Sequence, residues 1–185
     1  KTGENVLWKV EHKRGNMTTP VIANGKVYVG GNNQVYADGR SPKVEDLGCL
    51  RAHDAATGEL LWQATHPKLA RGKDGAFRDW PGIGICSPPT VEGDRLWYVS
   101  NRGDVVCLDT EGFTDGENDG AIVDEVKRDR TDADFIWQVD LVKDFGIEPH
   151  LVSASAILCV GDRLFVITSN GVGANHQAVV NPQAP

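Results

Sequence analysis

The sequence predicts an all-β protein assembled from short antiparallel strands, and three observations favour this class. Glycine is frequent, with 21 among 185 residues, and runs of helix-favouring residues are scarce. Short apolar stretches with alternating aliphatic and aromatic residues recur along the chain, each bounded by a turn that contains glycine. The whole pattern also repeats, which indicates that one structural unit is used several times.

The repeated unit begins with a β-hairpin. The segment TPVIANGKVYVGG at 19–31 has counterparts in SPPTVEGDRLWYVS at 87–100 and SASAILCVGDRLFVITS at 153–169. In each copy a short apolar run precedes a tight turn with glycine, and an alternating strand follows the turn. We therefore expect three antiparallel hairpins.

A third strand, a polar turn and a closing strand follow the first hairpin. All three lie in GCLRAHDAATGELLWQA at 48–64. Gly58 supplies the backbone freedom that the turn requires, while the side chains of Asp54 and Thr57 can hydrogen-bond nearby amides. The unit is therefore expected to contain four strands.

Tryptophan recurs on the closing strand. In the second unit the third strand lies in GDVVCLDTEG at 103–112, and the closing strand lies in DFIWQVDL at 134–141. Trp8, Trp62 and Trp137 thus take the same place in three successive units. Because a large aromatic ring at this place is best buried, we expect the three rings to pack between neighbouring sheets.

Four short antiparallel strands in a unit of about 40–50 residues are typical of one blade of a β-propeller. The predicted fold is therefore a β-propeller of four-stranded antiparallel blades, present as a partial arc of about three blades. Residues 1–10 would end one blade, 17–64 and 85–141 would each form a blade, and 153–185 would start a further one. We expect remaining blades or a protein partner to cover the ends of the arc, because exposed sheet edges promote aggregation.

The repeats resemble those of PQQ-like propellers, the quinoprotein alcohol dehydrogenase-like family. The resemblance is carried by SPPTVEGDRLWYV…GDVVCLD and HDAATGELLW. The family includes quinone-dependent dehydrogenases and non-enzymatic members similar to the outer-membrane assembly propeller lipoprotein. The resemblance implies an exported or periplasmic protein that acts as a binding or scaffold module. The alternative is a dehydrogenase dependent on pyrroloquinoline quinone and calcium, or a propeller subunit of a redox complex.

The residues favour the non-catalytic interpretation. The enzymes of this family resemble one another in a calcium held by Glu, Asn and Asp, a catalytic Asp, a Trp beneath the quinone and, often, two adjacent cysteines. The sequence has no adjacent cysteine pair and no clear Glu–Asn–Asp set at the starts of inner strands. It therefore predicts neither bound pyrroloquinoline quinone nor a particular catalytic residue. Its four separated cysteines are expected to be buried thiols, or at most two disulfides.

Long links cluster on one rim of the predicted arc, which we call the loop-rich rim. They span residues 30–48, 64–87, 140–155 and 169–185. Because functional groups often lie on loops held by a rigid scaffold, this rim is the predicted binding surface. Candidate ligand-binding residues at the rim are Ser87, Asn101, Ser153, His150 and Trp80. Each of them also suits an ordinary turn or packing role.

One long insertion, residues 111–134, is expected at the opposite rim; we call it the acidic insertion. Its DGENDG segment places Asp115, Glu117 and Asp119 at alternate positions before Gly120, as in a calcium loop. The twelfth position of such a loop would be Val126 instead of a bidentate glutamate. Calcium binding and a solvated acidic turn are the two hypotheses for this segment.

The overall charge restricts the partners. The formal net charge is −7, and nucleic acids and anionic membranes attract clustered lysine and arginine instead. No run of about 18–20 apolar residues, the length that spans a bilayer, is present in the sequence. The expected partners therefore remain a protein or the remaining propeller blades, with neither nucleic acid nor a membrane-spanning segment.

Overall fold

A computed structural model describes residues 3, 5–12, 18–33, 46–71, 77–147, 149–150, 154–168 and 177. Over these ranges the chain forms two four-stranded sheets and a separate hairpin. All strand pairs are antiparallel, and the strands of each sheet lie side by side in chain order. The predicted all-β class and its four-stranded antiparallel units are therefore confirmed.

The strands fall where the repeats lie in the sequence. The first sheet contains β1 (Val21–Ala23), β2 (Lys26–Asn33), β3 (Leu47–Asp54) and β4 (Leu60–Pro67). The second sheet contains β5 (Thr90–Glu92), β6 (Arg95–Val99), β7 (Asp104–Asp109) and β8 (Phe135–Asp140). The hairpin consists of β9 (Leu158–Val160) and β10 (Arg163–Phe165).

Tight turns set the register of the hairpins. Asn24 and Gly25 join β1 to β2 with φ angles of 52° and 70°. Positive φ at both central residues is the conformation that matches a two-residue turn to the twist of the strands. Val21 consequently pairs with Tyr28, and successive side chains of β2 point to opposite faces of the sheet.

The sheets pack face to face in the order of the chain. Tyr28, Leu50 and Trp62 of the first sheet share one buried cluster with Leu96 and Tyr98 of the second. The alternate residues of β6 point the other way, because side chains alternate along a strand. There Trp97 and Val99 pack with Ile157 and Leu164 of the hairpin region. The second sheet is thus covered on both faces.

The closing-strand tryptophan joins one sheet to the next. Trp62 in β4 donates its indole N–H to the carbonyl of Thr110 at 2.9 Å. Its ring lies against Gly112, where an added Cβ would approach the ring to 2.8 Å. Trp8 repeats this contact one unit earlier, donating to the carbonyl of Ala55 at 2.9 Å and packing on Gly58.

The Trp8 segment differs from the expectation in one respect. Residues 5–12 have no strand conformation in the described structure, although the sequence predicts the last strand of a blade there. The position of Trp8 against the β3–β4 turn nevertheless reproduces that of Trp62 against the turn after β7. The Trp8 segment therefore repeats the side-chain contact of Trp62 without repeating its strand hydrogen bonds.

Helix is confined to short pieces in the described ranges. A 3-10 turn spans Gly112–Thr114, and α1 (Leu141–Phe145) follows β8 directly. Asp140 caps α1 by accepting the backbone N–H of Lys143 at 2.9 Å. None of the described helices has the length and apolar character needed to cross a membrane.

All four cysteines are free thiols. Cys49, Cys86 and Cys107 are buried and Cys159 is partly buried. Burial raises the pKa of Cys49 and of Cys107 to about 11. These two thiols therefore stay protonated at neutral pH and act as small apolar core groups.

Candidate binding face

Loops from both sheets meet at the loop-rich rim. Residues 68–89 link β4 to β5, and residues 100–103 form the turn between β6 and β7. Asp46, just before β3, accepts the backbone N–H of Gly82 at 2.9 Å and the side-chain amide of Asn32 at 2.7 Å. The long β4–β5 link is thereby tied back to the β2–β3 link of the same sheet.

Lys68 and Asp79 form the centre of this rim. The ammonium of Lys68 donates to Asp79 Oδ1 at 2.8 Å, to the carbonyl of Trp80 at 3.0 Å and to the carbonyl of Ile83. Because an ammonium has three donors, all of them are used here. Asp79 is buried; burial raises its pKa, while hydrogen bonds from Lys68 and Asn101 lower it.

Asn101 connects this centre to the second sheet. Its side-chain amide donates to Asp79 Oδ2 at 2.6 Å and to the carbonyl of Pro67 at 3.2 Å. Its side chain also lies directly over Gly48, where an added Cβ would be 1.8 Å from Asn101 Oδ1. We call Lys68, Asp79 and Asn101 the rim network. Their hydrogen bonds connect the rim loops of the two sheets.

The rim network supports an exposed aromatic surface. Trp80 follows Asp79 directly and keeps 43% of its surface exposed. Its ring centroid lies 5.1 Å from that of Phe77. The guanidinium carbon of Arg71 stands 3.6 Å from the centroid of the Phe77 ring, a cation–π contact. An exposed indole is therefore presented on a loop segment whose backbone carbonyls at Trp80 and Ile83 are held by Lys68.

The structure places the other rim candidates in different surroundings. Ser87 is fully buried; it donates to the carbonyl of Ser155 at 2.7 Å and accepts the backbone N–H of Val99 at 3.1 Å. It therefore fastens the second sheet to the β9–β10 hairpin. His150 follows Pro149, which lies against Gly103 in the β6–β7 turn. Ser153 lies outside the described residues.

Asn101 and Trp80 are thus connected through Lys68 and Asp79, whereas Ser87 makes its contacts elsewhere. The sequence reasoning did not select Lys68 or Asp79. Their signal was present in the β4–β5 link: opposite charges are spaced along a long insertion, and the acid directly precedes Trp-Pro-Gly. Spacing alone does not show which charges meet, because they are joined only when the link folds back.

The acidic insertion runs from the opposite rim along the outer edges of both sheets. The backbone N–H of Gln63 in β4 donates to the carbonyl of Thr131 at 3.0 Å, and that of Ala133 donates to the carbonyl of Gln63 at 3.1 Å. At β8 the backbone N–H of Ala121 donates to the carbonyl of Ile136 at 3.0 Å. Part of each outermost strand is therefore covered, which reduces edge-to-edge association.

The three predicted calcium ligands act within this insertion as turn residues. Asp115 Oδ1 accepts the backbone N–H of Glu117 at 2.9 Å, and the backbone N–H of Asp119 donates to Asp134 at 2.8 Å. The Asp119 carboxylate lies 3.7 Å from the guanidinium of Arg95. Within the described ranges no three His, Cys, Asp or Glu side chains are grouped so as to hold a metal ion. Calcium binding at this segment stays a prediction.

Asp134 shows the electrostatic cost of this arrangement. Asp134 is buried. Its pKa is raised to about 6, mainly by burial and further by the neighbouring carboxylates of Glu125, Asp109 and Asp119. The hydrogen bond from the backbone of Asp119 acts in the opposite direction. The base of the acidic insertion therefore holds a carboxyl group that gains its charge close to neutral pH.

Four-stranded antiparallel sheets stacked in chain order, with loops tied together at one rim, define a propeller-type repeat module. A protein-family model described as outer membrane protein assembly factor BamB matches residues 47–114, from β3 to the 3-10 turn after β7. This match supports the PQQ-like repeat family that the sequence predicts. A search of curated proteins gives no match to the chain.

Proposed function

We propose that this chain is a non-catalytic, exported propeller module that binds a protein partner through the loop-rich rim. The observation that carries the proposal is the exposed indole of Trp80 above the rim network, in which Asp79 and Asn101 are buried. Tryptophan is among the residues that contribute most to protein–protein binding energy. The rim therefore supplies an anchor of the kind that partner proteins recognise.

The fixed backbone beneath Trp80 favours this role. Binding is weakened by the entropy lost when loops become ordered, so a loop that is already fixed binds more tightly. Lys68 holds the carbonyls of Trp80 and Ile83, and Asp79 is held in turn by Asn101. Phe145, at the end of α1 on the same rim, adds a second exposed apolar side chain.

The exported location is supported by the family description, which names an outer membrane protein assembly factor. We expect the protein to be recovered with the periplasmic or membrane-associated fraction of its native cell. Recovery in the cytoplasmic fraction alone would contradict that part of the proposal.

Site-specific photo-crosslinking in the native cell tests the binding face. A photoreactive amino acid replaces Ala70, which is exposed in the β4–β5 link, or Glu59, which is exposed in the β3–β4 turn at the opposite rim. We expect a discrete protein adduct from position 70 and none from position 59. Adding Trp80→Ala should lower the adduct yield from position 70 by about tenfold, the effect of losing an anchor residue.

The matched control for Trp80→Ala is Val123→Ala, which removes an exposed apolar side chain from the acidic insertion. This control should leave the adduct yield unchanged. Equal yields from positions 70 and 59, or a yield that Trp80→Ala does not lower, would show that the loop-rich rim is not the binding face.

A further inference from the structure

Charge is distributed unevenly between the two rims of the structure. The chain carries a formal net charge of −7. The acidic insertion supplies most of this excess, because it has nine acidic and three basic residues. The β4–β5 link at the loop-rich rim has the opposite sign, with four basic and two acidic residues among positions 68–89. The surface that presents Trp80 is therefore locally positive, although the protein as a whole is acidic.

Two basic residues at the loop-rich rim are paired with buried carboxylates. The ammonium of Lys68 lies 2.8 Å from Asp79 Oδ1. The guanidinium of Arg102, in the β6–β7 turn, lies 3.5 Å from Asp104 Oδ2. Both carboxylates are buried. The excess positive charge of the β4–β5 link therefore belongs to residues 71–78, which include three basic residues and one acidic residue.

Arg71 lies close enough to Trp80 for one ligand to contact both. Its guanidinium carbon is 3.6 Å from the centroid of the Phe77 ring, and the Phe77 and Trp80 centroids are 5.1 Å apart. By addition of these two distances, the guanidinium and the Trp80 ring are at most about 9 Å apart. Arg71 is exposed and Arg78 is half-buried. A guanidinium stacked on an aromatic ring keeps its N–H donors in a planar fork that matches a carboxylate.

These groups select a ligand by both its apolar surface and its charge. An exposed indole packs well against a large apolar side chain, and a guanidinium pairs with a carboxylate. In an extended peptide, side chains two residues apart lie on the same side and about 7 Å apart. That spacing fits within the separation of Arg71 from Trp80. A second copy of this chain and an anionic membrane are both disfavoured, because the chain carries a net charge of −7.

We propose that the loop-rich rim binds an extended, acidic segment of another protein, an inference that rests on the proposed binding role of this rim. An apolar side chain of the segment packs on Trp80. A carboxylate two residues away pairs with the guanidinium of Arg71, and Arg78 adds to the local positive charge. The two rims also orient the partner during encounter, because its acidic segment is attracted to the β4–β5 link and repelled by the acidic insertion.

Two pentapeptides with blocked ends are the first probes, Asp-Ser-Phe-Ser-Asp and Asn-Ser-Phe-Ser-Asn. They keep the apolar anchor and the spacing, and they differ only in charge. NMR titrations of the whole chain at low salt measure both affinities. We expect the acidic peptide to bind about three- to tenfold more tightly, as appropriate for one or two exposed charge pairs. The difference should disappear at about 0.5 M NaCl, because salt screens exposed charges.

Variants of the exposed residues test the assigned contacts. Arg71→Gln and Arg78→Gln should each reduce the preference for the acidic peptide by about two- to fivefold. Arg163→Gln is the matched control, because Arg163 is exposed in β10, outside the rim, and its replacement changes the net charge equally. This control should leave the preference unchanged. Trp80→Ala should instead weaken the binding of both peptides, because it removes the apolar contact that they share.

Three results with these probes would overturn the proposal. They are equal affinity for the two peptides, the absence of binding by both, and a loss of preference as large in Arg163→Gln as in Arg71→Gln. Vesicles of phosphatidylglycerol provide a further arm. Vesicle binding that Trp80→Ala and Arg78→Gln both abolish would also overturn the proposal, because the ligand would then be a membrane surface.

Photo-crosslinking from position 70 in the native cell separates this inference from the proposed function. Arg78→Glu should lower the adduct yield by about three- to tenfold, because it reverses a charge beside the anchor. Arg163→Glu should not lower it. A yield that falls in Trp80→Ala but not in Arg78→Glu would overturn the acidic partner and leave the binding role of the rim in place. An adduct of twice the mass of the chain would identify a second copy as the occupant and overturn the proposal.

Discussion

At the scale of single residues, the indole N–H groups of Trp8 and Trp62 fasten each repeat to the next. Each donates at 2.9 Å to a carbonyl directly after the aspartate that ends a third strand, Ala55 after Asp54 and Thr110 after Asp109. The two rings differ in burial, since Trp62 is fully buried and Trp8 is half-buried. The two hydrogen bonds therefore have the same length, but that of Trp62 is shielded from water and that of Trp8 is not fully shielded.

This difference predicts unequal losses of stability. Trp62→Phe removes the donor to a buried carbonyl and leaves space in the core, so the free energy of unfolding should fall by about 2–4 kcal/mol. Trp8→Phe removes the same hydrogen bond at a wetter position and should cost about 1 kcal/mol or less. Urea unfolding followed by circular dichroism measures both. Equal losses would show that the two contacts do not differ in burial as described.

At the scale of elements, the acidic insertion has a structural role that its composition does not reveal. It places Ala121 against β8 and Thr131 and Ala133 against β4. The predicted calcium segment lies inside this cover, where Asp119 donates its backbone N–H to Asp134. The insertion thus protects strand edges of two successive sheets, whether or not calcium binds to it.

Two glycines of the insertion provide a matched test of this cover. Gly116 and Gly120 have φ angles of 84° and 85°, so alanine is equally strained at both. An added Cβ at Gly116 meets open space, whereas at Gly120 it would lie 2.6 Å from the Cα of Ile136. Gly116→Ala should cost about 1 kcal/mol, and Gly120→Ala should cost roughly 1–3 kcal/mol more, as overpacking does.

Urea unfolding gives the two stabilities, and light scattering after mild heating reports aggregation. We expect the Gly120→Ala protein to aggregate at a lower temperature, because displacement of Ala121 uncovers the edge of β8. Equal behaviour of the two variants would indicate that the insertion does not protect that edge.

At the scale of the whole molecule, buried contacts between the sheets couple stability to pH. His66 of β4 and Tyr98 of β6 form a buried hydrogen bond of 2.6 Å between Nε2 and the phenol oxygen. Burial, with a smaller effect of Arg102, lowers the pKa of His66 to about 3. The imidazole therefore stays neutral in the folded protein over the pH range in which it is protonated in the unfolded chain.

The sign of the pH effect follows from this difference. Because the pKa is lower in the folded state, stability is complete above about pH 6.5, the ordinary histidine pKa, and falls as the pH drops toward 3. Between pH 7.5 and 5 the loss due to His66 should be about 2 kcal/mol. Over the same interval the free energy of unfolding of His66→Gln should fall by about 2 kcal/mol less than that of the unmodified protein. Urea unfolding at each pH measures both.

Tyr98→Phe is the control, because it removes the hydroxyl while leaving His66 buried and titratable. Its pH dependence should match that of the unmodified protein. Asp134 has a raised pKa of about 6, so its contribution to the free energy of unfolding changes with pH in the opposite direction. All three proteins contain Asp134, so its contribution cancels when their pH dependences are compared. Identical slopes for His66→Gln and the unmodified protein would contradict the burial of a neutral His66.

The sequence predicts the strands and their grouping well, because both depend on residues that are close together in the sequence. Alternation along β6 and the Asn24–Gly25 turn are local features, and both lie where the repeats place them. The sequence also predicts that the Trp62 ring packs between sheets, since a recurring aromatic on a closing strand has few other places to pack. The segment around Trp8 shows the limit, because its side-chain contact repeats without the strand hydrogen bonds.

The sites are predicted only in part. Asn101 and Trp80 were selected from the sequence, but the residues that join them, Lys68 and Asp79, were not. Asp79 and Asn101 are 22 residues apart, and no local pattern specifies that their side chains meet. The cover over β4 depends on an even longer return, since Thr131 and Ala133 in the acidic insertion of the next unit hydrogen-bond the backbone of Gln63.

The sequence by itself determined the repeat, its antiparallel strands and the tryptophan that closes each unit. These follow from alternation and turn residues, whose effects act over a few positions of the chain. Only the tertiary structure decided which charges are buried together at the rim and which backbone groups of β4 the acidic insertion covers. Those outcomes depend on how two sheets and their long links pack, because burial and hydrogen-bond partners are properties of the assembled surface rather than of the local sequence.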